Sequence, residues 1–242
     1  MKTKLRGEVK TQFTRRLLAW WARAARDLPW RRTRDPYRVL VSEFMLQQTQ
    51  VSRVAEYYPR FLERFPDLAT LASAKPRAVR EAWDGLGYYA RARNLHALAK
   101  QVSGAGGQVP DDPGELAKLP GVGPYTAGAV ASFAYEKPVP AVDTNVARVI
   151  RRVFFGRGER GAVPAAANRS SRSRRKEPLP APRSRDIWEL TRALVPKTGK
   201  RAWKFNQAIM ELGALVCKAR APKCRECPVQ PTCKTGRRLG RR

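Results

Sequence analysis

Apolar residues recur at helical spacing along almost the whole of this 242-residue chain, and no stretch alternates convincingly with period two. Such a pattern buries its apolar surface by packing helix on helix, so the expected fold class is all-α. Phe13, Leu17, Trp20 and Trp21 mark a first helix. Asp35-Pro36, a capping residue followed by proline at the first helical position, opens a second that runs on through Val51. Further helices are expected over 54–64, with a kink or break at Pro59, and over 76–83, 90–102, 114–119, 125–134, 144–155, 186–194 and 202–216. Turn signals at Phe65-Pro66-Asp67, 104–107 and 110–113 separate them. The chain has no internal repeats.

Charge narrows the partners. Lys and Arg number 49 against 20 Asp and Glu, a formal charge of +29. Self-repulsion of that size destabilises a compact state unless a polyanion relieves it, and solubility needs a charge of only ~2–8 in a small domain. No amphipathic segment pairs a basic face with an exposed apolar one, and no apolar run reaches the ~20 residues of a membrane span. Nucleic acid is the expected partner, with no membrane, and a monomer is the simplest state. Residues 1–10 are charged and lead straight into a helix without the core of a signal peptide, so the expected location is cytoplasmic. Residues 156–185 are rich in Arg, Ser, Ala and Pro and too poor in apolar groups to repay ordering. They read as a disordered basic insert, either trailing along phosphates or serving as a neutral spacer. The tail 236–242 is also basic.

In a reducing compartment the four cysteines need a role other than disulfides. Cys217, Cys224, Cys227 and Cys233 form C-x6-C-x2-C-x5-C within 17 residues. Thiolates that close repel unless a metal neutralises them, and on chemistry alone zinc and an iron–sulfur cube suit four thiolates about equally. Zinc sites usually pair two short knuckles, whereas here only Cys224 and Cys227 are closely spaced.

Leu119-Pro-Gly-Val-Gly-Pro-Tyr-Thr126 lies between two helical segments. Gly121 and Gly123 permit a tight turn that presents backbone N–H groups around Val122, and the helix entered at Tyr125 and Thr126 adds its positive end. Such donors suit a phosphate without reading sequence; an ordinary helix–helix turn is the plainer alternative.

Two carboxylates stand out. Glu43 has apolar neighbours Leu40, Phe44, Met45 and Leu46, which would desolvate it and raise its pKa. Asp143 follows the apolar run 139–142 and opens the next helix, where an N-cap is its simplest role. Hydrolysis of an N-glycosidic bond needs one protonated acid for the departing base and one persistent carboxylate for the positive sugar.

These segments together resemble one family. Leu28-Pro-Trp-Arg31, Ser42-Glu-Phe-Met-Leu-Gln-Gln-Thr49, Gly85-Leu-Gly-Tyr-Tyr-Ala-Arg-Ala-Arg-Asn94, the glycine turn, Phe205-Asn-Gln207 and the cysteine spacing are similar to MutY-type adenine DNA glycosylases of the helix-hairpin-helix (endonuclease III) superfamily. The resemblance implies a [4Fe–4S] cluster on the four cysteines and a monofunctional hydrolase acting on double-stranded DNA with a mispaired or damaged base. The favoured base is adenine opposite 8-oxoguanine or guanine. Glu43 would protonate the base and handle the water; Asp143, with Asn145 beside it, would stabilise the sugar cation. Trp30, Arg31 and Gln207 would line the base pocket. Gln47, Gln48, Thr49, Leu86 and Tyr88 would fill the gap and touch the opposite strand, although core packing is the plainer role for any one aromatic among these motifs. Tyr125 occupies the place where endonuclease III-type enzymes carry a Schiff-base lysine, which implies at most weak lyase activity. The resemblance also implies two helical lobes with DNA in the cleft, 28–134 carrying the hairpin and 1–27 plus 135–235 carrying the cluster, with Glu43 and Asp143 facing across it.

Three features depart from the family pattern. The chain ends nine residues after Cys233, without the usual Nudix-like C-terminal domain; Thr144 replaces a customary Gly; and the 156–185 insert is long. They leave open another damaged purine or mismatched thymine or uracil as substrate, a non-catalytic iron–sulfur DNA-binding protein, and a zinc-stabilised structural protein.

Overall fold

The computed structural model describes residues 7–156 and 183–239. Most of the basic insert and the last residues of the tail lie outside the described residues. In chain order the helices are α1 (Gly7–Ala24), α2 (Pro36–Leu46), α3 (Val51–Arg64), α4 (Leu68–Ser73), α5 (Pro76–Ala82) and α6 (Ala90–Gly104). They continue as α7 (Pro113–Leu116), α8 (Pro124–Phe133), α9 (Thr144–Ile150), α10 (Ser184–Leu194), α11 (Gly199–Leu215) and α12 (Gly236–Leu239). None of the described residues forms a strand, so the fold is all-α. No described helix is long and apolar enough to cross a membrane.

The described residues divide into two compact units. One contains 24–142 and 195–207; the other contains 7–23, 143–156, 183–194 and 208–239. In the larger unit α2 packs on α3, α6 and α8, and α6 also packs on α4 and α5. Its core includes Leu40, Phe44, Phe61, Trp83, Leu95 and Val130, all essentially inaccessible. Phe61 meets Trp83 edge-on at 5.7 Å. The small residues of α8 serve close packing: a Cβ on Gly128 would lie 2.3 Å from the Pro140 carbonyl oxygen. Residues 195–207 group with this unit because Asn206, fully buried, donates to Ser132 Oγ and the Val139 carbonyl, both at 2.8 Å. In the other unit Phe13 of α1 meets Phe154 edge-on at 5.1 Å, and α9 packs on α10.

Three boundaries differ from the helical spacing. The second helix does not reach Val51: α2 stops at Leu46, Gln48 takes a left-handed φ of 57°, and α3 begins afresh. The Arg91 guanidinium occupies the carbonyls of Phe44, Met45 and Gln47 that end this helix. Pro59 lies inside α3, which the missing N–H does not divide. The helix expected over 144–155 changes at Arg151 into a π-helical turn that Gly156, at φ 72°, closes.

Candidate active site and cysteine-lined cavity

Helix α2 begins where Asp35 accepts the Arg38 N–H at 2.9 Å and Pro36 fills the first position. Its apolar run then buries every residue from Val39 to Met45, and Glu43 is carried inside with them, 4% exposed. Asp143 heads α9 and is half-buried. Its Oδ1 accepts the Val146 N–H at 2.7 Å, and its Oδ2 accepts from Asn145 Nδ2 at 2.8 Å. Burial is the largest influence on Asp143 and pushes its pKa above the usual value, opposed by those two donors. Thr144 is exposed. Glu43 and Asp143 belong to different units.

Within the larger unit Arg31 and Gln207 meet, Nε donating to Oε1 at 2.8 Å, and Gln207 is buried. Arg31 also donates to the Arg26 carbonyl at 3.0 Å. Trp30 is buried edge-on against Tyr58 at 5.7 Å. Gln47, Gln48 and Thr49 form the turn after α2, with Gln48 exposed. Leu86 is buried, while Tyr88 is 61% exposed and holds a left-handed φ of 47°.

Between α7 and α8 the chain turns through Gly121, at φ 75°, and Val122 donates back to the Leu119 carbonyl at 3.1 Å. A Cβ at Gly121 would lie 2.7 Å from Asn94 Cβ and 2.9 Å from the Phe44 ring, so glycine is needed for space as well as conformation. Gly123 caps α8 and has open space around it; Pro124 is the first helical residue, followed by half-buried Tyr125 and buried Thr126. The start of α8 points its positive end outward at this turn.

The four cysteines line one cavity of about 230 Å³, together with Val149, Leu212 and Val216. Among the described residues, no three His, Cys, Asp or Glu side chains gather as a lone metal ion requires. Burial pushes the Cys227 thiol up to about 12 and also raises Cys224 and Cys233. Gly236 N–H donates to Cys233 Sγ at 3.2 Å, and Arg152 Nη1 lies 3.5 Å from Cys217 Sγ.

Four residues without an assigned role in the sequence reading organise these sites. Arg148, buried, donates to Cys217 O, Gly213 O and Asn145 Oδ1 at 2.7–2.8 Å. Arg152 reaches the carbonyls of Lys218 and Ala219. Asn206 pins the 139–141 strand-like segment leading to Asp143, and Arg91 braces the turn after α2. A buried arginine carries no mark in sequence that distinguishes it from an exposed one.

Residues 41–171 match the family described as HhH-GPD superfamily base excision DNA repair protein. The chain is 42% identical over 240 residues to the adenine DNA glycosylase of Rattus norvegicus, covering 95% of this chain and 43% of that protein. It is 43% identical over 215 residues to the adenine DNA glycosylase of Mycobacterium tuberculosis, covering 88% and 64%. The chain thus spans less than two thirds of the length of these relatives. A solved thermostable thymine-DNA glycosylase superimposes with a TM-score of 0.79 at 30% identity, covering 96% of this chain and 98% of that one. The chain belongs to the HhH-GPD superfamily of base excision DNA repair proteins.

Proposed function

We propose that the protein is a monofunctional DNA glycosylase that removes adenine mispaired with 8-oxoguanine or guanine from double-stranded DNA, acting as a monomer in the cytoplasm. The observation that carries this reading is Glu43, a carboxyl 4% exposed in the middle of an apolar helix. Glu43 donates its proton to the flipped base as the C1′–N bond breaks. Asp143, steadied by Asn145, holds the positive charge that develops on the sugar. Glu43, now a carboxylate, takes a proton from water as its oxygen bonds to C1′, which leaves the free base, an abasic site and Glu43 reprotonated.

Trp30 and the Arg31–Gln207 pair line the base pocket, and Gln47, Gln48, Thr49, Leu86 and Tyr88 occupy the gap. The turn at Gly121, Val122 and Gly123, with the start of α8 at Tyr125 and Thr126, holds a phosphate. The formal charge of +29 favours that polyanion. Because Tyr125 has no amine, a Schiff base with the sugar does not form there.

A [4Fe–4S] cluster fits the cysteine cavity. Four thiolates around one zinc at ~2.3 Å leave no void, whereas these line a cavity of about 230 Å³. Cys217, Cys224, Cys227 and Cys233 would each hold one iron; when bound, the cluster cross-links the loop and neutralises its thiolates.

A second reading, removal of thymine mispaired with guanine, is favoured by the likeness to a thymine-DNA glycosylase over 98% of that chain. Single-turnover base release from duplexes with A opposite 8-oxoguanine, A opposite G, and T or U opposite G separates the two. Release of adenine supports the first reading; release of T or U alone replaces it with the second.

A further inference from the structure

Arg91, in the first turn of α6, is 7% exposed, yet all its hydrogen bonds go to main-chain oxygens. Nη1 donates to Phe44 at 3.1 Å, to Met45 at 2.7 Å and to Gln47; Nη2 donates to Leu86 at 2.9 Å and Gly87 at 3.0 Å. Taking a guanidinium out of water without an opposing carboxylate is costly, so five carbonyls must replace its solvation. Two of those carbonyls, Phe44 and Met45, close the last turn of α2; the other three, Gln47, Leu86 and Gly87, belong to two loops far apart in sequence. One is the turn after α2, with exposed Gln48 at φ 57°; the other is 85–88, with exposed Tyr88 at φ 47°. Each therefore carries a non-glycine residue in a left-handed conformation, which persists only where the surroundings over-determine it. Arg91 also lies 5.5 Å from the centroids of both Tyr88 and Trp83, and Trp83 Nε1 donates to Gly87 O at 3.2 Å.

We propose that Arg91 is a positioning residue that locks the 47–49 and 86–88 loops into one rigid wedge, so that Gln48 and Tyr88 enter the base stack together. This rests on the reading of the protein as a base-extruding enzyme. A wedge transmits the cost of unstacking only if its parts cannot yield separately. One guanidinium fork reaching both loops supplies that stiffness; an ammonium, with three donors at a single point, cannot span them.

The test uses the full chain and its Arg91→Lys variant on a duplex carrying 2-aminopurine at the target position, whose fluorescence rises when the base leaves the stack. Melting and affinity for undamaged duplex are measured beside it. The proposal expects Arg91→Lys to fold and to bind undamaged duplex within about threefold of wild type. Extrusion should be largely lost and base release should fall ~100-fold, the scale of a small misplacement of reacting groups. Wild-type extrusion in Arg91→Lys overturns the positioning role and leaves the glycosylase reading intact; no extrusion by wild type from any duplex sinks both. Hydrogen exchange on the wild-type protein needs no variant. Amides of 47–49 and 86–88 should open together, and independent opening of either loop contradicts a shared clamp.

Discussion

Arg148 donates from Nε to the carbonyl oxygen of Cys217 at 2.8 Å, so one buried side chain ties the helix headed by Asp143 to the start of the cysteine loop. Its Nη2 holds Asn145 Oδ1 at 2.7 Å, and Asn145 in turn donates to Asp143. Replacing Arg148 with Met strands two acceptors in a buried place, Gly213 O and Asn145 Oδ1, while Cys217 O keeps Arg152 Nη1 at 3.3 Å. Unfolding by denaturant should show a loss of about 3 kcal/mol, and base release should fall because Asn145 no longer has a fixed orientation. Unchanged stability would show that the bonds are replaced by water.

Burial disfavours the Asp143 anion and raises its pKa above that of an ordinary aspartate. The proposed role needs that anion, so base release should decline on acidification at a pH above the ~3.9 of an unperturbed aspartate. The sign for stability is opposite. A raised folded pKa makes the group's contribution fully present below the unfolded pKa and lost as pH rises through the folded one. Asp143→Asn should therefore abolish base release while changing stability at neutral pH by no more than about 1 kcal/mol, its amide oxygen still capping α9. A pH–rate profile and a melt of this variant check the two halves separately.

Two glycines five residues apart should respond differently. At Gly128 a Cβ meets a backbone oxygen at 2.3 Å, and α8 cannot move away without parting from the 139–141 segment. Gly128→Ala should cost 3 kcal/mol or more, roughly the upper range of overpacking. Gly123 has nothing within 4 Å and a negative φ. Gly123→Ala should cost about 1 kcal/mol or less, the usual difference at an N-cap. Thermal melts of both variants decide it, and equal losses would contradict the packing described.

The cysteine cavity makes a compositional forecast. Protein purified without oxygen should be brown and carry four irons and no stoichiometric zinc. Cys227→Ser should lose the colour and lower the melting temperature of the unit built on α9, because the loop over Val149 and Leu212 loses its filling. Colourless protein with one zinc per chain would contradict it.

Much of this arrangement was legible in residue order. The cap at Asp35, the apolar run around Glu43, the glycine turn and the cysteine spacing are local features, and local chemistry writes them directly into the sequence. The end of α2 was not legible, because Gln47 to Val51 keep helical spacing and the group that stops the helix, Arg91, lies more than forty residues on. The grouping of 195–207 with the larger unit was hidden for the same reason: it depends on Asn206 finding Ser132 and Val139. Helix α4 is only six residues long, too short for periodicity to register, and is set by Asp67 accepting the Thr70 N–H at 2.7 Å.

The central claim is that Glu43 is the acid that breaks the glycosidic bond. Glu43→Gln keeps shape and hydrogen-bonding capacity but has no proton of comparable acidity to give. The decisive measurement is single-turnover release of adenine opposite 8-oxoguanine by wild type and Glu43→Gln, with binding to the same duplex followed in parallel. The account predicts unchanged binding within about threefold and a fall in release of ~100-fold or more, the scale of general acid–base catalysis. Base release by Glu43→Gln at the wild-type rate would contradict it.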